Sequence, residues 1–289
     1  MPELPEVETI RAQLQPELVG RRIEELEVLD ERWSRPVAPE RLAAAVSGRS
    51  IEGLDRRGKY LLLRLDCGET LIMHLRMTGN LLLVDGEGSQ AYLRARFRLD
   101  DGRELHFTDP RRFGEAFLLA APALEERFRR SLGIEPLSEQ FTVEALARMA
   151  AGRRAPLKSF LLDQAGVAGV GNIYADEALF RARLHPLSPA GSMRAEHVAA
   201  LRDGVIAALR AGLDGGGASI DDYRDARGER GQMQDEFLVH TREGEPCPRC
   251  GESIRRIVVA GRSTYYCPGC QVRLRRRPRR RRAGVGRGG

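Results

Sequence analysis

Two cysteine pairs near the C-terminal end constrain this chain more than any other feature. Cys247-x2-Cys250 and Cys267-x2-Cys270 are separated by sixteen residues. That spacing matches a four-cysteine structural zinc site. Each pair sits in a Cys-Pro-x-Cys turn, which lets both sulfurs face one ion. Residues 254–266 fit two short strands around Ala260-Gly261, with Gly261-Arg262-Ser263 in the tip region. Four thiolates fill a tetrahedron and leave no place for water, so a single structural Zn2+ is expected. A module of about 36 residues cannot build much core alone, and the metal would supply the missing stability. Disulfides are the alternative, and they suit a cytoplasmic chain poorly. Cys67 lies in a turn away from the module and reads as an ordinary thiol.

The rest of the 289 residues divides by pattern, with length enough for about two domains. Residues 3–19 read as a helix, with Val7, Ile10, Leu14 and Leu18 at helical spacing. From about 50 to 120 short strands dominate. Segments 60–65 and 70–75 flank a turn at 66–69, and 92–99 and 104–108 flank Asp100-Asp101-Gly102. A mostly antiparallel β domain follows. Helices are expected over 122–131, 142–151, 156–164, 173–183 and 194–212. Residues 221–236 are polar and glycine-containing and read as a mobile loop. No run approaches the roughly 20 apolar residues of a membrane span. The acidic start MPELPEVETI has no apolar signal region. The expected location is the cytoplasm, and no sign of oligomerisation points away from a monomer.

The net charge of +6 suggests an anionic partner, but it is unevenly placed. Nine arginines and no acid lie from Arg273 onward, so setting them aside turns +6 into −3 for residues 1–272. Any nucleic-acid face must therefore be a local patch. The tail, 273–289, reads as a disordered charge run that can add salt-sensitive, sequence-blind phosphate affinity. Of 47 basic residues only Lys59 and Lys158 are lysine. These two sites stand out as needing a compact ammonium, or one able to lose its proton.

Pro2 and Glu3 follow the initiator. Proline after methionine is expected to be exposed by trimming, giving a secondary α-amine that titrates near pH 7.7–8. Such an amine can attack a sugar C1′ and expel a base, and the iminium that results draws electrons for phosphate elimination. Glu3 is placed to exchange protons with the ring oxygen or the amine. Taken alone, the dipeptide reads first as a helix start, where both residue types are favoured.

The whole constellation decides between these readings. Pro2-Glu3-Leu4-Pro5-Glu6-Val7-Glu8-Thr9 resembles the start of the formamidopyrimidine-DNA glycosylases. The resemblance continues through Gly58-Lys59-Tyr60, His74-Leu75-Arg76-Met77-Thr78-Gly79 and Thr108-Asp109-Pro110-Arg111-Arg112-Phe113-Gly114. It then runs through Gly169-Val170-Gly171-Asn172-Ile173-Tyr174-Ala175 and the cysteine module. Leu4, where the endonuclease VIII branch usually carries Gly, favours the oxidised-purine branch.

The resemblance implies an α+β, multi-domain fold. An N-terminal antiparallel β-sandwich with flanking helices (2–120) is followed by a helix–two-turns–helix DNA-binding domain (121–225) and a zinc finger (237–272). It implies a bifunctional glycosylase and abasic-site lyase, removing 8-oxoguanine and formamidopyrimidines from double-stranded DNA and cutting by β,δ-elimination. By position, Pro2 is the Schiff-base nucleophile and Glu3 the acid/base. Lys59 contacts the lesion phosphate and assists elimination, and Arg262 binds phosphate and assists the second elimination. Met77, Arg111 and Phe113 fill the gap left by the extruded base, with Arg111 suited to the orphaned cytosine. Arg153, Lys158 and Asn172 contact the backbone, and Asn172 also caps its helix. No nucleotide cofactor or membrane is implied.

Two positions depart from the family pattern: Arg76 replaces a small residue, and the stretch at Tyr92 lacks the usual histidines. The alternatives are an oxidised-pyrimidine glycosylase of the endonuclease VIII branch and a silent damaged-DNA-binding relative. A silent protein has no chemical reason to keep Pro2, Glu3, Lys59 and Arg262 together.

Overall fold

The computed structural model describes residues 1–86, 90–220 and 222–275. The tail expected to be disordered lies, from 276 on, outside the described residues. Helix α1 (Leu4–Leu18) opens the chain, and Pro5 in its first turn suits a helix start. Strand β1 (Ile23–Val28), two short helices α2 (Glu31–Ser34) and α3 (Pro39–Val46), and strands β2 (Ile51–Arg57), β3 (Tyr60–Leu65) and β4 (Glu69–His74) follow. Then come β5 (Asn80–Asp85), β6 (Leu93–Leu99), β7 (Arg103–Thr108) and β8 (Glu115–Ala120).

The strands form two antiparallel four-stranded sheets, ordered β1-β6-β7-β5 and β2-β3-β4-β8. Alternation decides which faces meet. Leu61, Leu63 and Leu65 of β3 are buried together with Phe97 and Leu99 of β6 and Leu105 and Phe107 of β7. Val7, Ile10, Leu14 and Leu18 of α1 join the same core.

Helix α4 (Ala121–Ser131) packs back on the sandwich, its Phe128 ring against Tyr60 of β3, and α5 (Val143–Ala150), α6 (Leu157–Leu162), α7 (Asn172–Arg181) and α8 (Ala195–Asp214) build a second core. Leu4 belongs to this second core although Val7 belongs to the first. The first turn of α1 therefore bridges the two, and its leading residues lie at their junction.

Strands β9 (Arg255–Val259) and β10 (Arg262–Tyr266) pair as a hairpin in a third, small cluster. Its turn residues Ala260 and Gly261 have φ of 49° and 75°, the left-handed pair that suits a two-residue hairpin.

Segment 221–236 is not the loose loop its polarity suggested. Over its described residues, Tyr223 and Ala226 are buried in the first core and Met233 in the second. The Leu83 N–H donates to the Ala226 carbonyl at 2.9 Å, and Gln13 bonds both Asp225 and the Ala226 amide. Three scattered apolar residues without a period anchor it.

Candidate active site

The site is assembled from three parts that are distant in sequence. The Leu4 amide donates to the Gly169 carbonyl at 3.0 Å, which ties the start of α1 to the Gly169–Gly171 loop. Gly169 has φ +89°, and a side chain there would meet Leu4. A Cβ on Gly171 would lie 2.3 Å from the Glu3 carboxyl carbon, so only glycine admits this approach.

The Glu3 carboxylate accepts the amides of Gly171 at 2.7 Å, Ile173 at 2.9 Å and Tyr174 at 3.4 Å. Those are orphan donors of the α7 N-terminus, so Glu3 caps that helix from across the molecule. The cap expected from Asn172 is thus supplied by Glu3. Asn172 is the first helical residue, and its side-chain amide instead donates to the Ser263 carbonyl in the hairpin at 3.1 Å. Its Oδ1 is buried without a partner among the described residues.

Glu6 lies behind Glu3. It accepts the Glu3 amide at 2.7 Å, the Tyr174 hydroxyl at 2.6 Å and the Ala218 amide at 2.8 Å. Burial, then the neighbouring Glu3 charge, push its carboxyl above the ordinary range. Lys59 stands in the turn between β2 and β3, and that turn is tied down by the Gly58 amide donating to Glu135. Burial holds the Lys59 ammonium below the usual lysine range, opposed by the charges of Glu3 and Glu6; Arg262 lowers it further. His74, close enough to feel Lys59, is pushed down to about 3 by burial and by Arg76 and Lys59, so it is neutral at pH 7. The junction therefore gathers two carboxylates, an amine and a guanidinium.

Of these, Glu3 and Arg262 border an open cavity of about 400 Å3, lined also by Met1, Met77, Asn172 and Tyr223; Glu6 and Lys59 lie behind its wall. Pro2 is buried while Met1 lines the cavity. The bond from the Pro2 nitrogen to Met1 therefore runs toward the open space, and cleaving it would leave the nitrogen facing that space.

Met77 and Phe113 are 39% and 52% exposed, so neither is a core residue. The Arg111 guanidinium lies 4.9 Å from the Phe113 ring centroid. Buried Asp109 holds their loop, accepting the Arg111, Phe113 and Gly114 amides at 3.1, 2.8 and 2.7 Å. The Asp109 carboxylate is thus taken up by these amides and the Thr78 hydroxyl, and among the described residues it forms no ion pair with the Arg111 guanidinium.

Two residues expected at the DNA backbone, Lys158 and Arg153, do not line this cavity. Lys158 is fully buried, its ammonium on Asp176 at 2.6 Å and on the Asn172 carbonyl at 2.7 Å. There it braces the first turn of α7 from inside. Arg153 pairs with Asp163 at 3.0 Å and does not line the cavity. Sequence reasoning passed over Glu6, Asp109 and Glu135. The first two sat inside recognised motifs, and Glu135 gave no local signal.

The four cysteine sulfurs lie within 4.8 Å of one another, with Cys247–Cys270 at 3.8 Å and Cys250–Cys267 at 3.4 Å. Tetrahedral zinc with bonds of about 2.3 Å puts its sulfurs about 3.8 Å apart, so the donors fit one Zn2+. Disulfides, with sulfurs about 2.05 Å apart, do not fit these distances. All four positions are filled by protein, which makes the metal a fold element that holds the Arg262 hairpin.

Comparison with known proteins follows the same three parts. Residues 1–116 match the formamidopyrimidine-DNA glycosylase N-terminal domain, residues 132–224 its H2TH domain, and residues 244–272 a zinc finger found in FPG and IleRS. The formamidopyrimidine-DNA glycosylase of Roseiflexus sp. is 49% identical over 275 residues, 94% of this chain and 100% of that protein. That of Chloroflexus aurantiacus is 46% identical, covering 95% and 99%. Among solved structures, the Thermus thermophilus MutM (FPG) protein is 43% identical, with a TM-score of 0.84 over 93% of this chain and 98% of that one. The Lactococcus lactis Fpg, bound to DNA containing an abasic site, is 35% identical, with a TM-score of 0.87 over 93% and 99%.

Proposed function

The chain belongs to the formamidopyrimidine-DNA glycosylase family, and from that premise we propose that Pro2, freed of Met1, is the nucleophile of its base-excision chemistry. The protein is a DNA-repair glycosylase and abasic-site lyase acting on duplex DNA that carries oxidised purines or abasic sites. The observation that carries the assignment of residues is the junction itself. Glu3 and Leu4, the residues that follow Pro2, are pinned to the α7 N-terminus and the Gly169–Gly171 loop, with Met1 and Glu3 at the edge of one open cavity.

The neutral Pro2 amine attacks C1′ of an extruded nucleotide, the base departs with the electrons of its glycosidic bond, and the sugar ring opens as the C1′–nitrogen iminium forms. Loss of a C2′ proton then expels the 3′ phosphate, and a second elimination expels the 5′ phosphate. Glu3 exchanges the protons these steps require. Lys59 and Arg262 stabilise the departing phosphates, as compact and forked cations respectively. Met77 and Phe113 occupy the vacated stack, which offsets part of the few kcal/mol that extrusion costs. Arg111, stacked on Phe113, presents donors to the orphaned base. Asn172 meets the backbone from the start of α7.

Zinc supplies no step; it fixes the hairpin. Among the described residues no helix is long and apolar enough to cross a membrane. We place the enzyme in the cytoplasm, acting as a monomer on DNA. A Pro2→Gly variant tests the assignment. Excision should fall by orders of magnitude while binding to a lesion duplex stays measurable. Unchanged excision would refute Pro2 as nucleophile.

A further inference from the structure

A second cavity, of about 450 Å3, lies where the chain leaving the zinc ribbon crosses the start of α8. Ser192, Arg194, His197, Arg273 and Arg275 line it. Among the described residues the only carboxylate in ion-pair range of these arginines is Glu196. It lies 3.8 Å from Arg194, and both are more than 60% exposed, which leaves the pair weak. Arg273 and Arg275 are themselves exposed.

The other groups are also donors. His197 Nδ1 accepts the Arg194 amide at 3.1 Å, so the neutral ring carries its proton on Nε2, free to donate. The first amides of α8, at Ala195 and Glu196, have no acceptor within the helix. Ser192 Oγ is shielded and has no partner among the described residues. Three arginines and an imidazole thus line one space beside a helix start, with a single hydroxyl able to accept. A tetrahedral oxyanion bearing several acceptors fits that set, whereas a cation or an apolar group does not.

We propose that this cavity is a second phosphate-binding site, taking a nucleic-acid backbone phosphate away from the lesion. Its place in the fold gives the scale. The N-terminus of α7 borders the lesion cavity, and just past its other end Leu184 pairs with Val272, beside Arg273. The ten residues of α7 span about 15 Å, roughly four to five nucleotide steps. The phosphate comes either from the flank of the duplex held in the cleft or from a second duplex.

The test uses the full chain carrying Arg194→Gln, Arg273→Gln and Arg275→Gln, and a lesion duplex that extends well beyond the cleft on both sides. Binding is followed against salt, with stoichiometry. Flank binding predicts a one-to-one complex whose log–log salt slope is shallower than wild type by about 0.9 for each lost phosphate contact. Second-duplex binding predicts an unchanged one-to-one slope and loss of a two-to-one complex that wild type forms. Equal slopes and equal stoichiometries overturn the site. Excision from saturating duplex should stay at the wild-type rate. A separate readout needs no variant. Inorganic phosphate should shift the His197 imidazole resonance of the native chain, and chloride at equal ionic strength should not; no shift with phosphate overturns the proposal.

Discussion

Glu3 has two duties that pull on one carboxylate: it caps α7 with three amide contacts, and it faces the cavity where protons must move. Glu3→Gln keeps the size but turns one acceptor into a donor that faces amide donors. We expect a loss of about 1–3 kcal/mol in stability from the mismatched buried groups. Excision should fall about 10²–10⁴-fold. Denaturant midpoints and single-turnover excision measure the two effects separately.

Lys59 makes a pH prediction. Its folded pKa is lowered below the ordinary 10.5, mainly by burial. Strand scission that depends on its charge should therefore decline at lower pH than an exposed lysine would allow. In Lys59→Arg that alkaline limb should move upward, because arginine keeps its proton; an unmoved limb assigns it elsewhere. The stability sign is also fixed. Between the lowered pKa and 10.5 the unfolded chain binds more protons, so stability relative to Lys59→Met should rise with pH through that window. The penalty of burying the charge is present in full below it.

At the scale of elements, the loop between β4 and β5 carries the wedge residue Met77 on an unusual support. Arg76 has φ 54°, a conformation that costs a non-glycine residue about 1–2 kcal/mol. Its ion pair with Glu115, at 2.6 Å and partly exposed, returns about 0–1 kcal/mol. Arg76→Gly should therefore raise stability by up to about 1 kcal/mol, read as a shift in Tm. A fall of that size would show that the Glu115 pair outweighs the backbone strain.

The elements most legible in the sequence were those whose signals are local. The zinc ribbon followed from cysteine spacing and the β hairpins from turn residues between alternating strands. Helix α1 followed from its apolar period and α4 to α8 fell within a few residues of their expected bounds, whereas the short α2 and α3 were not foreseen. What escaped was made by contacts across the chain. Glu3 and Gly171 are 168 residues apart, and nothing near either reveals that one caps the other's helix. Lys158 stood out in the sequence, but its partner Asp176, eighteen residues on, gave no local signal that the pair would be buried together. Segment 222–236 is polar by count, yet Tyr223, Ala226 and Met233 dock it between two cores.

For the whole molecule, the site exists only because three clusters meet. The ribbon reaches the junction through Asn172, whose side chain holds the Ser263 carbonyl beside Arg262, and through Glu177, which accepts the amides of Leu238, Val239 and His240. Zinc removal should therefore act at a distance. A chelator is expected to release the hairpin and weaken lesion-duplex binding, while the sandwich core, which contains none of the cysteines, keeps its cooperative unfolding. Binding that survives chelation unchanged would show that the ribbon contributes nothing to the DNA grip.

The central claim is that one nitrogen, on Pro2, forms the covalent bond to DNA. Borohydride reduction during reaction with a duplex carrying 8-oxoguanine opposite cytosine tests it most directly. The account predicts a trapped complex whose DNA adduct maps by peptide mass to residue 2, on chains whose intact mass shows Met1 removed. Capture at any other residue, or none while the base is still excised, would contradict it.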